Sequence, residues 1–194
     1  VSFEASPSTY SILCDNVHRN GITNAVLVNV GLGEKTESST ITFSANNRSG
    51  GFVSDNVRPI RGHVTENIEL RRLDDIWCIF GEPINFIKID VEGFEENVIK
   101  GGIGIIEKFR PPIILELNHW CLNAFRRITV PDFFDFLRSV FPVLYAVDSG
   151  NMRLMNLHVP DEAYCVMYEH IVHWRFLNII ASFDEAIIKR IREG

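Results

Sequence analysis

Hydrophobic positions recur along this chain with two periods, and the alternation between them sets the expected elements. Val1 to Phe3 reads as the end of a strand, closed by Glu4. Ser6 and Pro7 form a helix start, with Ser as the N-cap and Pro at the first helical position. Tyr10, Leu13, Cys14 and Val17 follow at helical spacing, and Gly21 can end that helix. Ala25 to Val30 is an apolar, β-rich run that stops at Gly31. Strand, helix and strand joined by short turns make the βαβ unit of a parallel sheet.

Residues 33–55 are polar, with Ser and Asn clusters and the pair Gly50-Gly51. One strand is expected there, Thr40 to Phe43. The remainder reads as a long loop, and 46–55 as a lid or a surface loop. Ile68 to Leu73 is a short strand, and Leu73-Asp74-Asp75-Ile76 a turn or short helix. Ile84 to Val91 is the strongest strand pattern, ending in Asp90-Val91-Glu92-Gly93. A helix follows, with Glu92, Glu95 and Glu96 where the helix dipole favours negative charge. Gly101-Gly102 weakens its middle, and Pro111-Pro112 stops it. Ile113 to Leu117 is another buried strand, leading into Asn118-His119. Pro131 opens a helix with Phe133, Phe134, Leu137 and Val140 on its apolar face. Val143 to Val147 is a strand, Pro160 to His173 a helix, Arg175 to Ala181 a strand and Asp184 to Arg192 a helix. No repeat, linker or domain boundary is visible. The expected architecture is one α/β domain over residues 1–194, with a mostly parallel, doubly wound sheet.

Composition narrows the function classes. The chain has 194 residues, 46% of them hydrophobic, enough for a sizeable core. Its net charge of −6 is spread along the chain. No basic block suggests nucleic acid or a membrane surface. The longest apolar stretch, residues 163–183, carries Glu169, His170, His173 and Arg175, too polar for a bilayer span. Cys14, Cys78, Cys121 and Cys165 have no metal spacing and read as reduced, mostly buried thiols of a cytoplasmic protein. The chain enters at Val1 in the middle of a strand pattern, which suggests that its natural start lies further upstream.

Open α/β sheets bind ligands beyond the carboxyl ends of their strands. The polar residues expected there are Glu4, the turn at Gly31, Asp90 with Glu92, and Glu116 with Asn118 and His119. An acid after the second strand of a nucleotide-binding unit can accept both hydroxyls of a ribose, a role open to Glu4; the alternative is a solvated turn residue. Phe86, Lys88 and Asp90 share one face of their strand. In a strand expected to be buried, Lys88 and Asp90 imply either mutual pairing or a site. His170 and His173 sit at i, i+3 without a third ligand, so no metal is expected.

The segment Phe86-Ile87-Lys88-Ile89-Asp90-Val91-Glu92-Gly93-Phe94-Glu95, followed by Val98-Ile99-Lys100-Gly101, closely resembles the signature of FkbM-type methyltransferases. Phe3-Glu4-Ala5-Ser6-Pro7 with Asn16 and Asn20, Val28 to Gly33, Leu73-Asp74-Asp75 and Arg110 to Leu117 resemble further family segments in the family's order. The resemblance covers residues 1–119 and is loose over 120–194. It implies a Rossmann-like methyltransferase fold, S-adenosylmethionine as cofactor, and O-methylation of a sugar or natural-product hydroxyl. It also implies a small-molecule or glycan acceptor as partner. Glu4 would hold the cofactor ribose, Gly31 would lie by the adenine, and Asp90 would lie near the methionine end. The family's first strand and glycine-rich loop would precede Val1, so the fold expected of these residues lacks both.

Methyl transfer to oxygen needs donor and acceptor held in line, and a base can take the hydroxyl proton. The base candidates are Asp90, Glu116 and His119, and Trp120 could line an acceptor pocket. An NAD(P)-dependent sugar-modifying oxidoreductase also places an acid after its second strand, but the Tyr-x-x-x-Lys pair that would favour it is absent. A non-catalytic remnant or interaction protein is the alternative outside enzymes.

Overall fold

The computed structural model describes residues 1–54, 56–57 and 62–193. They form two compact units. The first comprises residues 1–81 and 97–103, the second residues 82–96 and 104–194.

In the first unit, β1 (Ser2–Phe3) and β2 (Leu27–Val28) pair in parallel across α1 (Pro7–Arg19). This is the expected βαβ unit, with shorter strands than the apolar runs suggested. Ser6 caps α1 as its composition demands, its hydroxyl accepting the Thr9 N–H at 3.1 Å. A second sheet, in the order β3-β6-β4-β5, contains β3 (Gly31–Leu32), β4 (Glu37–Ser44), β5 (Asn47–Phe52) and β6 (His63–Arg71). Only β3 and β6 run parallel.

The polar stretch expected to be mostly loop is therefore largely the hairpin β4–β5. Its Ser and Thr side chains suit a half-exposed pleated surface. Thr42 and Thr65 share a hydroxyl contact of 3.3 Å across β4 and β6, while Phe43 and Phe52 are buried. Residues 47–52 are strand where a loop was expected, and Asp55 at the end of that expected loop lies outside the described residues. After β6 comes α2 (Leu73–Ile76).

The second unit carries a five-stranded sheet in the order β10-β9-β11-β8-β7. Its strands are β7 (Ile87–Ile89), β8 (Ile113–Glu116), β9 (Val143–Val147), β10 (Leu154–Asn156) and β11 (Asn178–Ser182). β7 and β8 are parallel; β11 runs antiparallel to both β8 and β9, and β10 antiparallel to β9. The sheets are thus mixed, where a mostly parallel winding was expected. The direction of β11 is set by its long-range pairing, which local hydrophobic pattern does not encode.

The helix expected after Asp90 is broken into α3 (Glu95–Gly101) and α4 (Ile103–Phe109). A short turn, α5 (His119–Cys121), and a π-helical turn (Leu122–Arg126) follow β8. Next come α6 (Val130–Val140), α7 (Pro160–His173) and α8 (Ala186–Glu193). α6 opens with a capping box in which Thr129 and Asp132 satisfy each other's backbone N–H. Ile113, Leu115, Leu117, Phe133, Phe134, Leu137, Phe141, Leu144 and Ile179 are fully buried in this unit.

Of the cysteines, only Cys121 is buried; Cys14 is half-buried, and Cys78 and Cys165 are exposed. The expectation of mostly buried thiols is corrected: the positions that carry Cys78 and Cys165 face outward, and that of Cys14 lies at the margin. Among the described residues no helix is long and apolar enough to cross a membrane.

The two glycines that interrupt the α3–α4 helix have a packing cause. A Cβ at Gly101 would lie 1.9 Å from the Gly33 carbonyl oxygen, and one at Gly102 would lie 3.0 Å from the Leu73 side chain. Alanine at Gly101 would gain about 1 kcal/mol of helix propensity. The clash is with backbone, which cannot swing away, and overpacking of this kind costs about 1–3 kcal/mol or more. Gly101→Ala is therefore expected to destabilise the chain on balance, read as a lower midpoint in chemical denaturation. A raised midpoint would show that helix propensity outweighs the close approach.

Candidate active site

The turn after β7 builds the most chemically loaded part of the second unit. Glu92 adopts φ 52° and Gly93 φ 90°, so the chain reverses through the left-handed region, where glycine is at ease and other residues are not. Gly93 is required for a second reason. A Cβ there would sit 2.8 Å from the Cys121 carbonyl carbon and 3.0 Å from its oxygen. The turn is then tied from both sides. Glu95 Oε1 accepts the Val91 N–H at 3.1 Å and the Gly93 N–H at 3.3 Å. Glu92 Oε2 accepts the Asn118 side-chain amide at 3.2 Å and lies 3.1 Å from the Cys121 thiol that donates to it. Asn118 also caps α5, its Oδ1 accepting the Cys121 N–H at 3.1 Å.

Because β7 and β8 are adjacent and parallel, their carboxyl ends deliver Asp90 and Glu116 to the same place. Oxygens of Asp90, Glu92 and Glu116 all lie within 4.8 Å of one another. Glu116 Oε2 is buried and receives no hydrogen bond. Burial, and then the charges of Asp90, Glu92 and Glu95, push the Glu116 carboxyl up to about 7, and a proton there can be shared with Asp90. Burial likewise pushes Glu95 up to about 7, against the hydrogen bonds it accepts. The Cys121 thiol is pushed up by burial and by Glu92. This is a surplus of acceptors suited to a cationic group, whether an ammonium or a hard divalent ion. Among the described residues no other set of three or more His, Cys, Asp or Glu side chains converges in this way.

Lys88 and Asp90 do pair, Nζ to Oδ2 at 2.7 Å, but their side chains are 47% and 53% exposed. An exposed pair contributes at most about 1 kcal/mol. Asp90 is therefore not half of a buried ion pair.

His119 stands in a different setting. Its ring meets His170 edge-on at 4.9 Å and Trp174 at 4.6 Å. The backbone N–H of His119 donates to His170 Nε2 at 3.4 Å. Burial lowers the basicity of His119, and burial with the neighbouring His119 brings the fully buried His170 down to about 4. Trp120 is exposed and packs edge-on against Phe125 at 5.2 Å.

In the first unit, Glu4 Oε1 accepts the Ser6 N–H at 2.8 Å, and Asn29 holds the Glu4 carbonyl at 2.8 Å. Burial, and then the nearby Glu66, raise the Glu4 carboxyl above its ordinary range. Gly31 opens β3 with no room for a side chain: a Cβ would meet Leu70 at 2.7 Å and Ala5 at 3.1 Å.

Thus Asp90 and Glu116 come together with Glu92, while His119 belongs to an imidazole–indole cluster. Sequence reasoning treated Glu95 as a dipole partner and overlooked its buried carboxyl. The available signal was an acid lying between Phe94 and Val98 in an apolar helix pattern.

A chain with mixed sheets and helices, in which adjacent parallel strands bring Asp90 and Glu116 together, is of the α/β class. The particular family follows from comparison: the Methyltransferase FkbM domain matches residues 1–144, and the chain belongs to that family. The match runs past His119, where the motif resemblance ended. Methyltransferase FkbM from Methylobacillus flagellatus KT, known from a crystal structure, shares the fold with a TM-score of 0.50 at 18% identity. The similarity covers 92% of this chain and 35% of that chain, so the present chain spans about a third of its length. No curated protein matches.

The pH dependence of stability follows from the two raised carboxyls. Glu95 and Glu116 keep protons in the folded chain that an unfolded chain releases as pH rises from 4.5 to about 7. The folded state is favoured below that window and loses this advantage across it. For the buried Glu95, at about 1.4 kcal/mol per pKa unit, the loss is about 3 kcal/mol. Glu95→Gln keeps an acceptor for Val91 and Gly93 and cannot ionise. It is expected to stabilise the chain at pH 8 and leave stability nearly unchanged at pH 4, measured by denaturant unfolding. Equal effects at both pH values would contradict a carboxyl held protonated by burial.

Proposed function

We propose that the protein is an S-adenosylmethionine-dependent methyltransferase that acts on a hydroxyl oxygen of a sugar or natural product, on a Rossmann-like scaffold. The family supports the reaction class. The parallel pairs β1–β2 and β7–β8 support the scaffold. The observation that carries the chemistry is the convergence of the Asp90 and Glu116 carboxylates at neighbouring strand ends, with burial pushing the Glu116 carboxyl up to about 7.

Bound S-adenosylmethionine supplies an electrophilic methyl on a sulfonium centre. The residues present fit it in one respect: the unpartnered, buried Glu116 Oε2 stands among Asp90 and Glu92, and this excess of acceptors suits the cofactor's cationic methionine end. The Glu4 carboxylate is assigned to the ribose hydroxyls. Glu4 Oε1 accepts the Ser6 N–H and the carboxylate also accepts from the Ala5 backbone, which together set its orientation. Gly31 serves the adenine side through its bare backbone.

Asp90 and Glu116 act as the base. As the acceptor hydroxyl attacks, its proton passes to this pair, in which the Glu116 carboxyl, pushed up to about 7, suits transfer in both directions. His119 is the third base candidate, in a drier setting that lowers its affinity for a proton.

Two variants test this reading. Glu4→Ala removes a charge-assisted hydrogen bond worth roughly 1.5–3 kcal/mol, so affinity for S-adenosylmethionine measured by calorimetry should fall about ten- to a hundredfold. Unchanged affinity would leave Glu4 a turn residue. Asp90→Asn removes the charge and keeps the shape. In the full-length protein, release of S-adenosylhomocysteine with a panel of sugar and polyol acceptors should fall on the order of 10²-fold or more. Because the Lys88 pair is exposed, the melting temperature should hardly move. Full turnover in that variant would remove Asp90 from the chemistry.

A further inference from the structure

The Glu4 carboxylate owes its orientation to the Ser6 N–H, and the turn that presents this N–H is held from β6. Glu66 Oε2 accepts the Ser6 hydroxyl at 2.6 Å and the Ser8 N–H at 3.4 Å, while Glu66 Oε1 accepts the Ser8 hydroxyl. Arg48 of β5 donates to the same Ser8 hydroxyl and lies 3.9 Å from Glu66 Oε1. Its guanidinium also rests over the Phe43 ring at 4.9 Å, so the β4–β5 hairpin braces the start of α1. The charged groups that face this turn are Glu4 just after β1, Glu66 from β6 and Arg48 from β5.

A helix cap accounts for one of the bonds Glu66 accepts, that from the Ser8 N–H in the first turn of α1, and not for those from the two serine hydroxyls. Ser6 already satisfies the Thr9 N–H through its hydroxyl oxygen. Stability alone would disfavour a second carboxylate beside Glu4, because like charges repel. The arrangement instead spends Glu66 on fixing both serines. Although burial opposes it, bonds from Ser6 and Ser8 and the charge of Arg48 keep the Glu66 carboxyl ionised below its ordinary range. Glu66 is therefore a fixed anion against which the turn and Glu4 are set.

We propose that Glu66 is a positioning residue for Glu4: by anchoring Ser6 and Ser8 it fixes the Ser6 N–H that orients the Glu4 carboxylate for the cofactor ribose. This rests on the reading of Glu4 as the ribose acceptor. It adds a residue that no strand-end or motif position marks, 62 positions along the chain from Glu4.

The test reads the Ser6 amide proton by NMR through a pH titration of the ligand-free full chain. That proton senses whether the carboxylate it bonds to is ionised. In Glu66→Gln, which keeps an acceptor for both serines but removes the neighbouring charge, the midpoint of the Ser6 transition should move to lower pH. In Glu66→Ala, which releases the turn, the amplitude of the transition should collapse and the Ser6 amide should exchange faster with solvent. Calorimetry with S-adenosylhomocysteine should then show weaker binding in Glu66→Ala, by less than in Glu4→Ala. A purely structural Glu66 would change the melting temperature and leave the amplitude of the Ser6 transition and the Ser6 amide exchange in place in Glu66→Ala. An unchanged amplitude and amide exchange in Glu66→Ala overturn the positioning role even if Glu4→Ala loses the cofactor. A Glu4→Ala variant that binds like the wild type overturns the ribose assignment, and with it the proposed purpose of Glu66, whatever the titration shows.

Discussion

The site depends on one close approach: the backbone at Gly93 against the Cys121 carbonyl, 2.8 Å from where a Cβ would have to go. That contact brings the turn after β7 against the turn after β8. Without it, Glu92 could not reach Asn118 and Cys121, and the carboxylates at the two strand ends would not converge. The left-handed backbone at Glu92 and Gly93 carries the cost of the arrangement. The Glu95 carboxyl offsets part of it by taking up the Val91 and Gly93 N–H groups that the reversal leaves without a ladder.

Gathering acids in this way is unfavourable in itself. Desolvation and mutual repulsion both oppose ionisation, and the chain responds by holding protons on Glu95 and Glu116 up to about pH 7. Such a set is poor at stabilising a fold and well placed to receive a cation or a proton. The opposite economy holds around Arg175. Its guanidinium bonds the buried Asp148 and, at 3.2 Å, Glu169, while its carbonyl accepts from Ser149. There, charges are paired and the backbone of the turn is satisfied, as expected of a structural network.

Much of this was legible in the sequence where local chemistry decides structure. Ser6-Pro7, Pro131 and Pro160 begin helices where they were expected, and Val143 to Val147 is a strand over those residues. The meeting of Asp90 and Glu116 could be anticipated because each ends an apolar run and parallel neighbours share an edge. What long-range pairing decides was not legible. The antiparallel course of β11 made the sheet mixed, and the Ser- and Asn-rich composition of β4 and β5 hid a hairpin whose buried faces are Phe43 and Phe52. The anchoring of Ser6 by Glu66 joins residues far apart in sequence, and no spacing rule connects them. Gly31, read as a cofactor neighbour, also has a packing reason that only the proximity of Leu70 and Ala5 discloses.

The central claim is that burial and the convergence with Asp90 hold a proton on Glu116 up to near neutrality. The most direct measurement is the titration of the Glu116 side-chain carboxyl, followed by its carbon-13 shift in selectively labelled protein. The account predicts a midpoint near 7 that falls when Asp90 is replaced by Asn. A midpoint in the ordinary carboxylate range, around 4, or one indifferent to Asp90, would contradict it.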